Sequence, residues 1–175
     1  MLNIGIVGAG VGGLSCGLML KKLGHRVTIF EKQSKSISSG VGIQLSSNAI
    51  RILRLFDLED NIARSANFPS MVDCINGHNG KKITSIPLGK IAEKKFNAGF
   101  YQLHRNDLIS ILINRVEDFG IKINYGNPVI SLTQNSSSAN IQLLNQSYRR
   151  RPGRFLFYPA GVRRSVIHLP TFRSS

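Results

Sequence analysis

Two cysteines in 175 residues, Cys16 and Cys74, are too few for a disulfide framework. A reducing compartment is the simplest setting, so a cytoplasmic location is the expectation. No stretch stays apolar over the ~18 to 20 residues that a membrane span needs, and none is expected to cross one. The apolar start does not read as a secretion signal either, because no basic residue precedes it and six glycines lie between Gly5 and Gly17. The four histidines and two cysteines show no metal-ligand spacing, and no nucleophile triad or acid pair emerges. No metal and no catalytic side chain is therefore assigned. Acids are scarce as well: nine stand against 23 lysines and arginines, a formal charge of +14. Half of that surplus sits in residues 149–175, which hold seven arginines and no acid. A polyanionic partner would have to rest on that tail, and no specific nucleic acid is expected. With 42% hydrophobic residues, 18% charged residues and no internal repeat, the chain reads as one globular domain.

What is present starts at once. Leu2 to Val7 is a short apolar run bounded by glycine, the pattern of a strand buried on both faces of a parallel sheet. Gly8-Ala9-Gly10-Val11-Gly12-Gly13 follows it directly. In a strand–turn–helix the first glycine permits the tight turn, the second lets the backbone approach a pyrophosphate, and the third lets helix and strand pack closely. The bare N-terminus of the helix then offers unpaired N–H groups and a partial positive charge to phosphate. Helical spacing runs from Gly12 to Leu23, with Leu14, Leu18 and Leu23 near one face, Gly17 allowing close approach and Gly24 as the C-cap. Val27 to Phe30 is the second strand, and Glu31 closes it, where a carboxylate can accept both hydroxyls of an adenosine ribose. These residues predict a dinucleotide site without deciding between FAD and NAD. Lys32, next along, is a candidate contact.

Farther on, Met71 to Asn76 and Lys82 to Ile86 are strand-like and flank Gly77-His78-Asn79-Gly80, which predicts an antiparallel hairpin. His78 falls at its tip, where a solvated side chain is expected. Asn48 is placed to cap a helix over Ala49 to Leu55, and Leu108 to Val116 reads as another helix, with Asp107 at its positive end. Ile121 to Tyr125, Pro128 to Thr133 and Ile141 to Leu144 read as strands of a small β meander.

Two segments resemble a known family. Gly40-Val-Gly42-Ile43-Gln44-Leu-Ser-Ser-Asn48 and Tyr101-Gln-Leu-His104-Arg105-Asn-Asp107-Leu108, in order after the opening turn, are similar to segments of the group A flavoprotein monooxygenases. That family includes the salicylate and para-hydroxybenzoate hydroxylases. The resemblance implies an α/β fold: a Rossmann-like, GR2-type FAD-binding domain with a partial antiparallel β excursion toward a substrate sheet. It implies FAD as cofactor, with Gly42 and Ile43 beside the flavin, Arg105 at the phosphate and ribityl region, and Val129 in the strand near the adenine end. It further implies NAD(P)H as transient reductant, O₂ as co-substrate and a small aromatic substrate. His104 and Asp107 are assigned to structure.

The expected organisation is an incomplete FAD-binding domain over residues 1–147, with the hairpin excursion at about 68–100, and a basic irregular tail over 148–175. In that tail Pro159-Ala-Gly161-Val-Arg-Arg-Ser165 resembles a damaged form of the family's Gly-Ala-Asp-Gly segment, lacking its aspartate. The expectation is a truncated or frame-disrupted hydroxylase with the C-terminal part of the fold missing and its own activity left open. Another FAD or NAD oxidoreductase sharing the opening turn, and a non-catalytic dinucleotide-binding remnant, are the alternatives. Oligomeric state is not legible.

Overall fold

The computed structural model describes residues 1–34, 40–134, 139–144 and 146–149. In chain order its elements are β1 (Asn3–Val7), α1 (Val11–Lys22), β2 (Arg26–Phe30), β3 (Gly42–Leu45), α2 (Ser47–Arg54), α3 (Glu59–Ser65), β4 (Met71–Ile75), β5 (Lys82–Pro87), α4 (Gly89–Phe96), β6 (Tyr101–His104), α5 (Arg105–Asp118), β7 (Lys122–Asn124), β8 (Val129–Gln134), β9 (Ala139–Leu143) and β10 (Gln146–Arg149). They fall into two compact units, Met1–Ile37 with Leu112–Ser175, and Ser38–Ile111.

In the first unit β1, β2 and β7 form a parallel sheet in the order β1-β2-β7, so the fold is mixed α/β as expected. The parallel pairing of β1 and β2 follows from the crossover through α1, which covers the sheet with Leu14 and Leu18, both fully buried. Gly17 makes that approach possible: a side chain there would meet Ile29 Cδ1 at 3.2 Å and Ile6 Cδ1 at 3.5 Å. Leu23 departs from the helical reading, since it is the exposed C-cap residue and no part of the buried stripe. Gly24 does end the helix as expected. Its φ is +83°, its N–H donates to the Lys21 carbonyl at 2.9 Å, and His25 N–H donates to the Leu20 carbonyl at 3.1 Å, a Schellman closure. The meander forms the antiparallel sheet β10-β9-β8, whose Ile141 and Leu143 bury Phe30 with Val129 packed alongside. β10 carries the pairing on to Arg149; the expectations for residues 150–175 lie outside the described residues.

In the second unit the hairpin is present as β4 and β5, antiparallel, with Gly80 at φ +68° in its turn and His78 exposed. The Gly40–Leu45 stretch is no mere turn: β3 pairs antiparallel with β6, Gly42 to His104 through Leu45 to Tyr101. A core of Ile50, Leu53, Phe56, Leu58 and Ile62 packs α2 and α3. Asn48 does not cap α2. Ser46 is the N-cap residue, and Asn48 stands in the first turn, where it accepts from the Ser46 hydroxyl. The sequence reading also missed α3 and α4, whose short amphipathic stretches carry few cap residues.

Candidate functional site

The turn after β1 is built almost wholly from main chain. Gly8 has φ +102°, a conformation that other L residues rarely adopt, and its N–H donates to the Phe30 carbonyl at 2.7 Å. That bond ties the end of β1 to the end of β2. Gly10 is extended at the N-cap, and Leu14 N–H returns to its carbonyl at 3.0 Å. No side chain caps α1 and no acid stands in its first turn, so the amides of Val11, Gly12 and Gly13 form an open, electropositive end. A Cβ on Gly13 would lie 2.0 Å from the Gly8 carbonyl oxygen, so only glycine lets the start of α1 lie this close to the turn. The open amide end fits the diphosphate of a dinucleotide.

Glu31 is brought to the same place. Its Oε2 accepts the Ala9 N–H at 2.7 Å and its Oε1 accepts the Gln33 N–H at 2.9 Å. The main chain is anchored too, with Glu31 N–H donating to the Asn124 carbonyl at 2.9 Å and Asn127 N–H to the Glu31 carbonyl at 3.0 Å. An ionised carboxylate has about four acceptor positions, so two remain for sugar hydroxyls. The Ala9 amide, by contrast, is taken by Glu31 and is not free for phosphate. Tyr125 escaped the sequence reading, because no spacing rule points to it: its hydroxyl is buried without a hydrogen-bond partner among the described residues. Burial, then the negative charges of Glu117 and Glu31, raise its pKa above the ordinary tyrosine value. Val129 is half-buried against Phe30, the residue before Glu31. Lys32 is exposed.

In the second unit Gly42, Ile43 and Arg105 come together through the β3–β6 pairing. Ile43 is half-buried opposite Leu103, and Arg105 N–H donates to the Val41 carbonyl at 3.0 Å. Arg105 is the first residue of α5, exposed, and Asp107 stands in the first turn of that helix. A cleft of about 220 Å³ opens here, lined by Gly42, Ser65, Asn67, Gln102, Leu103 and His104. Among the described residues no group of three or more metal-binding side chains occurs, and no helix is long and apolar enough to cross a membrane.

Comparison with known proteins gives the family and the fold. The family described as "FAD binding domain" matches residues 1–151. The FAD-dependent monooxygenase OpS4 of Beauveria bassiana is 29% identical over 133 residues, 75% of this chain and 31% of that protein. The 3-amino-4-hydroxybenzoate 2-monooxygenase of Streptomyces cremeus is 34% identical over 107 residues, 61% of this chain and 27% of its own length. The chain thus spans under a third of the curated relatives it matches. Among solved structures, CtdE in complex with FAD and substrate 4 superposes with a TM-score of 0.77 over 91% of this chain and 38% of that one, at 18% identity, a likeness of fold.

Proposed function

Because the chain belongs to the family of FAD-binding domains carried by flavin-dependent aromatic monooxygenases, we propose that it holds FAD as the cofactor-binding part of an aromatic hydroxylase. The observation that carries this reading is the uncapped, acid-free start of α1, with the Glu31 carboxylate fixed beside it by the Ala9 amide.

Gly8, Gly10, Val11, Gly12 and Gly13 would hold the diphosphate, through main-chain amides and the positive end of α1. Glu31 would bind the adenosine ribose with the acceptor positions its backbone bonds leave over, and Lys32 and Val129 would flank the adenine half. Gly42 and Ile43 would lie beside the flavin, and the Arg105 guanidinium would pair with phosphate or ribityl oxygen through its fixed fork of donors. Bound FAD supplies the redox chemistry, taking electrons from NAD(P)H and activating O₂ toward a small aromatic substrate. The protein's share is orientation of the cofactor and exclusion of water.

Titrating the full chain into FAD and following flavin fluorescence anisotropy tests the reading. A saturable rise that excess ADP reverses supports it, and an anisotropy that stays at the free-FAD value refutes it. NAD(P)H oxidation coupled to O₂ uptake in the presence of an aromatic acid separates a hydroxylase from a dinucleotide-binding protein without that activity.

A further inference from the structure

We propose that Asn106 is a positioning residue that fixes the path of the Gly40–Gly42 run beside Arg105, an inference that rests on the FAD reading above. Three consecutive residues of the run face three that follow one another in the opposite direction. Gly42 is the register partner of His104, the Val41 carbonyl accepts from Arg105 N–H at 3.0 Å, and the Asn106 carboxamide fills the volume where Gly40 has no side chain. A Cβ on Gly40 would lie 2.5 Å from Asn106 Oδ1, 2.8 Å from its Cγ and 3.2 Å from its backbone N. The first two separations are closer than real Cβ atoms come, so a side chain at residue 40 would require the Asn106 carboxamide to move. Gly42 differs: a Cβ there would meet none of the described residues within 4 Å, and the residue borders the cleft. The run is pressed at one end and open at the other.

Hydrogen bonding of its own does not explain Asn106. Its Oδ1 is buried with no donor among the described residues. An unpaired buried acceptor is destabilising, a cost that an apolar side chain would avoid. What the flat carboxamide achieves is close passage of the backbone, which keeps the Gly42–Ile43 edge and the Arg105 side chain at one spacing. A loop ordered before binding lowers the entropy lost when a ligand arrives. Asn106 therefore acts on the flavin half of the cofactor through the Gly40–Gly42 run, and leaves the ADP half alone.

The test is a double-mutant cycle on the full chain, Asn106→Ala, Gly40→Ala and both together, read as Kd for FAD and Kd for ADP. Each single variant is expected to weaken FAD about tenfold while ADP changes less than about twofold. In the double variant the new methyl occupies the vacated volume, and FAD affinity is expected to return to within about threefold of the original. Additive losses, or an equal loss of ADP affinity, would overturn the proposal. Should the unaltered chain bind ADP but not FAD, or neither, the failure belongs to the FAD reading. The 40–106 contact is then judged from thermal unfolding of the same four proteins, where additivity of the two substitutions contradicts it.

Discussion

The glycine turn of residues 8–13 and the glycine run of residues 40–42 look alike on paper, yet their glycines answer to different constraints. At Gly13 the chain's own backbone forbids a side chain, with the Gly8 carbonyl 2.0 Å from where a Cβ would be. At Gly40 a neighbouring side chain stands in its place, and at Gly42 nothing among the described residues does. A glycine that neither packing nor φ demands is the one whose missing side chain points to something outside the chain.

Substitutions at the three positions should therefore rank. Gly13→Ala is expected to have the largest effect, because a carbonyl on a tied strand cannot swing away: stability falls by about 3 kcal/mol or more in urea unfolding, and ADP binding is lost. A Gly13→Ala protein that unfolds at the original midpoint would erase the distinction. Glu31→Ala comes next. It strips the Ala9 and Gln33 amides of their acceptor, which costs about 1 to 2 kcal/mol, and should weaken ADP at least tenfold, a loss of about 1.4 kcal/mol measurable by calorimetry. Gly42→Ala sharpens the comparison, since stability should stay within about 0.5 kcal/mol while FAD affinity falls and ADP affinity holds. Equal loss of both ligands would mean that Gly42 serves the fold.

The smallest effect is expected at Asp73 on the exposed hairpin, which accepts from the Ser85 hydroxyl and pairs with Lys82 at 2.9 Å. Those bonds, the Ser85 hydroxyl first, hold its carboxyl below the ordinary aspartate pKa. The stabilisation is present above the unfolded-state pKa and lost as pH falls through the lower folded value. Asp73→Asn should thus melt slightly earlier than the parent at neutral pH and alongside it in acid. A difference that persists in acid would assign the effect to something other than charge.

The first turn was legible because each of its constraints is local. A strand, a turn that needs positive φ, a helix without a cap and a terminal acid all lie within 31 residues, and Gly8, Gly13, Gly24 and Glu31 stand where that logic places them. The hairpin was legible for the same reason, its Asn79-Gly80 turn being spelled out in sequence. Illegible features depend on residues far apart. Gly40 meets Asn106 only after β3 has found β6, and the Tyr125 hydroxyl comes within reach of Glu31's charge only because β7 joins β2. The cap of α2 was misplaced by two residues because Ser46, Ser47 and Asn48 are all competent caps and the sequence offers no way to choose. Val129 satisfies a core role against Phe30 whatever else it touches.

The proposed dinucleotide site joins the main-chain amides at the start of α1 to the carboxylate of Glu31, and isothermal calorimetry of the full chain with FAD, run beside Gly13→Ala, tests it. The expected result is saturable heat at one FAD per chain, abolished in the variant. No heat with the unaltered chain, or the same isotherm from both proteins, would contradict it.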